Sequence, residues 1–267
     1  AYKIIEDSAN AVHAVSKSAF SIGVEYTLSV FAKAAERNIL SFGGLGLYGN
    51  NEFCQYDLIN GTAINTGTTG NASVSIENYG NGWYRCIATY TATGTSGLVI
   101  SLLDQLYTGN AAGGGGQPYQ GNGTSGVYIY GAQVEQSSYA TSLINTSGST
   151  VTRIADVANN CGTEQDFNSE EGVLYAELLA LAEDSDSKRI TISDGTLTNR
   201  ITISVSDNIV SGFINVNNVT QYVFFESGQD ILNPIKIALK YKANDFAIWI
   251  NGTEYDSSAT GNTFSSG

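Results

Sequence analysis

Residues 199–216 read Asn199-Arg200-Ile201-Thr202-Ile203-Ser204-Val205-Ser206-Asp207-Asn208-Ile209-Val210-Ser211-Gly212-Phe213-Ile214-Asn215-Val216. In the first run Ile201, Ile203 and Val205 alternate with Thr202, Ser204 and Ser206, which is the period of a strand with one face buried. The second run is rich in β-branched and aromatic residues, which pack well on a pleated surface. Between them, Asp207-Asn208 supplies residues that tolerate turn geometry. The stretch is two strands and a turn, and the same rhythm extends to either side. Arg189–Ser193 precedes it, and Thr220–Phe225, Ile235–Tyr241 and Phe246–Ile250 follow. Asp194-Gly195 and Asn251-Gly252 punctuate these runs. Gly172–Ala180 is ambiguous, because its residues form helices well and Glu170-Glu171 would suit a helix N-terminus. A helix opening an unbroken meander would need its own packing partner, so a strand is expected. Asp256–Gly267 carries no clear strand pattern, so the second half reads as an unfinished sandwich. Further residues are expected beyond Gly267 and before Ala1 in the full gene product.

The first half repeats the pattern. Tyr26–Lys33, Ala72–Glu77 and Arg85–Thr91 alternate, Leu98–Leu103 is more continuously apolar, and Val127–Val134 closes the set. Asn60-Gly61, Thr66-Gly67, Gly80-Asn81-Gly82 and Thr93-Gly94 mark turns between them. Short strands with regular Gly/Asn punctuation predict a sandwich or jelly roll. Ser137–Asn160 is dense in Ser and Thr and loses periodicity, which marks a boundary. The expectation is therefore an all-β chain of two antiparallel β-sandwich domains, residues 1–145 and 163–267, with a linker at 146–162.

Composition narrows the function. Of 267 residues, 12 are basic and 25 acidic, a net charge of −13. That balance argues against nucleic acid or an anionic membrane surface, both of which need a positive footprint. With 42% hydrophobic residues, a sizeable core is available. No apolar run approaches the roughly 20 residues of a membrane-spanning helix. Ala1–Phe20 lacks the features of a secretion signal, and the chain has no Met. Cys54, Cys86 and Cys161 have no metal-binding spacing; the ordinary reading is core thiols, with a Cys54–Cys86 disulfide as the alternative. Thr108–Gly126, with Gly113–Gly116 at its centre, reads as a mobile surface loop. A phosphate cradle would need a following Lys and a helix, and neither is present. Asn60-Gly61-Thr62, Asn122-Gly123-Thr124 and Asn251-Gly252-Thr253 match glycosylation acceptors, a triplet that an Asn/Thr-rich chain produces by chance.

Gly80-Asn81-Gly82-Trp83-Tyr84-Arg85-Cys86 and Gly121–Glu135, followed by Tyr139-Ala140-Thr141-Ser142, resemble a repeated module of tailed-bacteriophage tail fibres and related appendages. Tyr2–Asp7 and Tyr26–Lys33 fit the same resemblance. It implies a carbohydrate-binding jelly roll, followed over residues 163–267 by a concanavalin-like, laminin G-like sandwich. The expected role is non-catalytic adhesion of a virion-surface protein to host cell-surface polysaccharide; the alternatives are a virion spacer or decoration that binds no sugar, a secreted bacterial glycan-binding protein, and a polysaccharide depolymerase. Other virion proteins are expected partners, a homotrimer is the expected assembly, and neither nucleic acid nor membrane insertion is implied.

Glycan binding uses aromatic faces for the sugar C–H surface and polar groups for its hydroxyls. Trp83, Tyr84, Tyr90, Tyr128 and Tyr130 are the candidates, foremost Tyr128, Tyr130, Trp83 and Tyr84. By alternation Tyr128 and Tyr130 share the face opposite Val127 and Ile129. They either form an outward ladder or pack under the Gly-rich loop, whereas Trp83 is expected in the core. The resemblance also implies a bracing Ca2+, which needs several converging hard oxygens. The last strand reads Tyr130-Gly131-Ala132-Gln133, without the Asp the related modules carry, leaving Glu6, Asp7 and Glu135 as candidate ligands. Glu183-Asp184-Asp186 reads as a solvated loop. Catalysis finds little support: His13 is the one histidine, no Gly-x-Ser-x-Gly turn occurs, and no carboxylate spacing singles out a glycosidase pair.

Overall fold

A computed structural model describes residues 1–17, 20–43, 53–66, 72–95, 98–108, 116–154, 157–158, 161–163, 165–183 and 185–264. The chain divides into two compact units, Ala1–Ile154 and Ala155–Gly267. Every regular element among the described residues is a strand, so no helix there is long and apolar enough to cross a membrane.

The first unit holds β1 (Tyr2–Ile5), β2 (Asn10–Ala11), β3 (His13–Lys17), β4 (Glu25–Ala34), β5 (Ile39–Gly43) and β6 (Cys54–Asp57). It continues with β7 (Thr62–Asn65), β8 (Ala72–Gly80), β9 (Trp83–Thr91), β10 (Leu98–Leu103), β11 (Tyr119–Gln120) and β12 (Gly126–Glu135). One sheet runs β1-β12-β4-β9-β8, the other β3-β10-β5-β6-β7, and β11 pairs with β2. Setting aside the β7–β8 excursion and the short β2/β11 ladder, successive strands alternate between the sheets until β5–β6. The last strand, β12, returns between β1 and β4. This is a jelly roll.

Its core follows from alternation. Leu28, Val30 and Ala32 of β4, Cys86, Ala88 and Tyr90 of β9 and Val127 of β12 meet Leu40 and Phe42 of β5, Tyr56 of β6, and Ile100 and Leu102 of β10. Tyr90, a candidate for sugar contact on sequence, is therefore a core residue, 1% exposed. Its position in register with Tyr26 and Ala72 puts it on the inner face. Cys54 and Cys86 are both in this core and Cys161 is exposed; no disulfide joins them. Burial pushes the Cys86 thiol well above its ordinary range.

The Gly-rich segment departs from expectation. Gly113–Gly115 lie outside the described residues, but Gly116–Ser125 is tied down by the β2–β11 ladder and by a buried carboxylate described below. A buried acceptor inside the fold captures the loop's donors, which composition does not reveal.

The second unit holds β13 (Glu171–Leu178), β14 (Lys188–Ser193), β15 (Arg200–Ser206), β16 (Ile209–Val216), β17 (Val219–Glu226), β18 (Ile235–Lys242), β19 (Phe246–Ile250) and β20 (Thr253–Ser258). Its sheets are β13-β18-β19-β20 and β14-β15-β16-β17. Ile201, Ile203, Val205, Val210 and Ile214 face Ile235, Ile237, Leu239, Phe246 and Ile248 across the core. The segment with helix-forming composition is strand β13, paired along its whole length with β18. The tail is not strandless: Thr253–Ser258 pairs with β19 after the Asn251-Gly252 turn. Every β20 residue up to Ser257 is exposed, so alternation left no trace in the sequence.

Candidate ligand-binding face

The candidate face is the outer side of the first unit's β1-β12-β4-β9-β8 sheet. Since Val30 and Ala32 point inward, Phe31 points out; since Val127 is buried, Tyr128 and Tyr130 point out and are 41% and 43% exposed. Registers place Phe31 opposite both Tyr130 and Arg85, and Lys33 opposite both Tyr128 and Trp83. Tyr79 of β8 keeps the phase of Glu77, which pairs with Arg85, and so points to the same side, just before the bulge at Gly80. Tyr79 meets Phe31 edge-on at 4.9 Å, and Tyr130 lies 6.4 Å from Phe31. Together with Ala1, Gly80, Asn81, Trp83 and Leu143 these rings line a recess of ≈ 390 Å³.

The floor is rigid. Arg85, 5% exposed, lies over the Phe31 ring at 5.4 Å and donates to Ser29 Oγ at 3.0 Å and to the Thr141 carbonyl. A segment after β12 folds back to hold it. Thr27 Oγ1 donates to the Ser137 carbonyl at 2.8 Å, the Thr141 amide and hydroxyl donate to the Glu135 carboxylate, and the Ile144 amide donates to Gln133 Oε1 at 2.8 Å. A second bulge, between Tyr130 and Gln133, brings Leu143 to the recess. Asn81, in left-handed backbone at φ 52°, accepts from Lys33 Nζ at 2.7 Å through its carbonyl and also lines the recess.

Of the residues expected on sequence, Tyr130 and Trp83 meet in this recess. Tyr128 points the same way but lies outside it, across from Lys3 and Lys33. Trp83, expected in the core, stands on the outer face, half-buried, because it is in phase with Arg85 rather than with Cys86. Tyr84 is in phase with Cys86, packs on the core and closes against Gly61. Phe31, Tyr79 and Leu143 were missed. Alternation in Tyr26–Lys33 already set Phe31 out of phase with Val30 and Ala32, and Tyr79 extends the phase of Glu77 beyond the run expected as a strand, whereas Leu143 lies in a segment with no alternation.

The three carboxylates expected to hold calcium do not converge. Glu6, 2% exposed, accepts from Arg37 Nε at 2.7 Å, the second Arg37 nitrogen at 2.8 Å, the Tyr119 hydroxyl at 2.7 Å and the Asn122 amide at 2.9 Å. Both its oxygens are taken, and the Arg37 guanidinium above all holds its pKa down at about 2. Asp7 accepts from the Ala9 amide and sits 3.2 Å from His13 Nδ1. Glu135 is at the far end of β12, nine residues from the Gly126 end where Glu6 is bound, a distance of roughly 25–30 Å. Among the described residues no group of three acids, histidines or cysteines is placed to hold a metal. Asp184 of the Glu183-Asp184-Asp186 cluster lies outside the described residues. His13 is enclosed, with Nε2 3.2 Å from the Tyr119 carbonyl and its ring edge-on to Tyr119 at 4.6 Å.

No protein-family model matches the chain, and no curated protein matches it. Among solved structures it is similar to the mouse laminin alpha1 chain, domains LG4-5, at 10% identity and a TM-score of 0.26, over 98% of this chain and 79% of that one. It is also similar to the LG1-3 region of the laminin alpha2 chain, at 11% identity and a TM-score of 0.23, over 97% of this chain and 56% of that one. The β-sandwich class rests on the strand topology itself.

Proposed function

We propose that the protein is a non-catalytic glycan-binding adhesin whose first unit takes a sugar ring in the Tyr79–Trp83–Tyr130 recess. The observation that supports this most directly is three aromatic side chains around one open recess on a sheet face held rigid from below by Arg85 and Phe31. Rings fixed in this way offer apolar faces at little entropic cost, and the amide of Asn81, which lines the recess, suits a hydroxyl. The buried Glu6 and His13 side chains are engaged within the fold, Glu6 by Arg37, Tyr119 and Asn122 and His13 by Tyr119.

The resemblance to tail-fibre modules extends the proposal to a virion-surface appendage that grips host cell-surface polysaccharide. Partners in this reading are other virion proteins, and the assembly is a homotrimer. Weak sites repeated on one particle gain roughly 10²–10⁴ in avidity where geometry allows simultaneous contact.

A glycan array probed with the full chain, with and without calcium, tests the reading. The expected result is a calcium-independent signal that Tyr130→Ala and Trp83→Ala each reduce by at least about tenfold, the scale of a truncated hot-spot side chain. Tyr128→Ala, outside the recess, is expected to leave it intact. An empty array, or a signal indifferent to Tyr130 and Trp83, overturns the proposal.

A further inference from the structure

The second unit carries a recess of a different chemistry. On the outer face of its β14-β15-β16-β17 sheet, Arg189, Thr191, Ser193, Gly195, Thr196, Leu197, Arg200 and Thr202 line a volume of ≈ 600 Å³. Registers explain the assembly: Arg189 is opposite Ser204, Thr191 opposite Thr202 and Ser193 opposite Arg200, so all six share the face away from Ile201 and Ile203. The Asp194 carboxylate does not neutralise the arginines, because it is spent on its own turn, accepting from the Thr196 amide and hydroxyl and from Asn199 Nδ2.

Acids outnumber bases 25 to 12, and four bases pair with carboxylates: Lys3 with Glu36, Arg37 with Glu6, Lys240 with Asp245, Lys242 with Glu171. Arg85 and Arg153 instead donate to carbonyls within the first unit. Among the described residues, neither the Arg189 nor the Arg200 side chain has a carboxylate or hydrogen-bond partner, and Arg200 Nε is buried with its N–H unanswered. A guanidinium is a planar fork matched to an oxyanion, and it prefers such a partner to a point charge. The same face continues into apolar rings. Thr202 is opposite Phe213, Phe213 opposite Val223, and Phe225 meets Phe213 edge-on at 5.2 Å. Two strand spacings, about 10 Å, separate the basic half from the aromatic half.

We propose that this face is a second binding site, specific for an anionic saccharide. Arg189 and Arg200 take the sugar's carboxylate or sulfate, Thr191 and Ser193 its hydroxyls, and Phe213 with Phe225 the apolar face of a neighbouring ring. The site is independent of the first unit's recess.

Titration of the full chain with an oligogalacturonate, its methyl ester and a sulfated galactan oligosaccharide, by calorimetry at low and high salt, tests this. At least one of the two acidic sugars is expected to bind and to weaken with salt, and the uncharged ester is expected to bind at least about tenfold more weakly. Arg200→Ala and Arg189→Ala are each expected to cost about tenfold or more, Arg200→Lys less than Arg200→Ala, with unchanged thermal unfolding. Tyr130→Ala is expected to leave this binding intact, which separates the site from the first unit's. Equal binding of ester and acid, no binding of either acidic sugar, or binding indifferent to both arginines overturns the proposal.

Discussion

Glu6 is the residue on which most of the first unit's polar order depends. Its two oxygens gather a guanidinium, a phenol and a backbone amide from two separate stretches of chain, within a site almost closed to water. Burying a carboxylate without such partners would be prohibitive; with them the charged form is favoured. The sign of the pH dependence follows. The folded pKa, about 2, lies below the ordinary 4.5. The stabilisation is therefore complete above roughly pH 5 and is lost as pH falls from about 4.5 towards 2. Glu6→Gln is expected to lower stability by about 3 kcal/mol at pH 7. It is also expected to flatten the acid limb, so that variant and parent converge near pH 2. Chemical denaturation as a function of pH measures both. A parent stability that is level between pH 5 and pH 2 would contradict the assignment.

At the scale of elements, turns and bulges decide what alternation leaves open. Asp207 and Asn208 sit at φ 49° and 60°, and Asn217 and Asn218 at 50° and 63°. These are two-residue turns whose handedness matches the twist of the strands they join. Asn208→Val places a β-branched residue in left-handed backbone and is expected to cost about 1–2 kcal/mol. Asn208→Gly is expected to cost a few tenths at most; thermal unfolding distinguishes them. The bulge at Gly131 has a different role. At φ 60° a Cβ there would lie 2.8 Å from Leu143 Cδ2. Gly131→Ala is therefore expected to push Leu143 away and weaken sugar binding in the first unit without disturbing the core, as read by affinity against unfolding temperature. These two kinds of turn mark the limit of what the sequence discloses. Ile201, Ile203 and Val205 reveal their strand because one face is buried, and so does the outward direction of Tyr130. Nothing in Leu143 announces a place in the recess, since it lies in the segment after β12 where alternation has ended, and Tyr79 stands two residues past the run whose alternation is clear. Trp83 misleads in another way: a large ring after a Gly-Asn-Gly turn looks like core, but it is out of phase with Cys86 and so faces out.

For the whole molecule, the fold class was legible and the site chemistry only half so. The jelly roll and the second sandwich follow from strand count and punctuation, but the carboxylates proposed for calcium do not come together among the described residues. Glu6 and Asp7 are committed to Arg37 and His13, and Glu135 to Thr141, a full strand length away. Neither the unfolding temperature nor glycan binding is expected to change when a chelator is added. A drop of several degrees on chelation, restored by calcium, would show that other residues supply a site. The surplus of acids keeps the surface strongly negative, so the two uncompensated arginines of the second unit stand out against that field.

The pairing of β1 with β12 has a consequence for how the chain folds. Among the described residues Tyr2–Ile5 pairs only with Ile129–Gly126, and β4 too waits for β12 on one side. Partners in this ladder stand 121 to 127 positions apart in sequence, so β1 stays unpaired until β12 is available. Such distant closure is slow to nucleate, so assembly of the first unit is set by the arrival of its last strand.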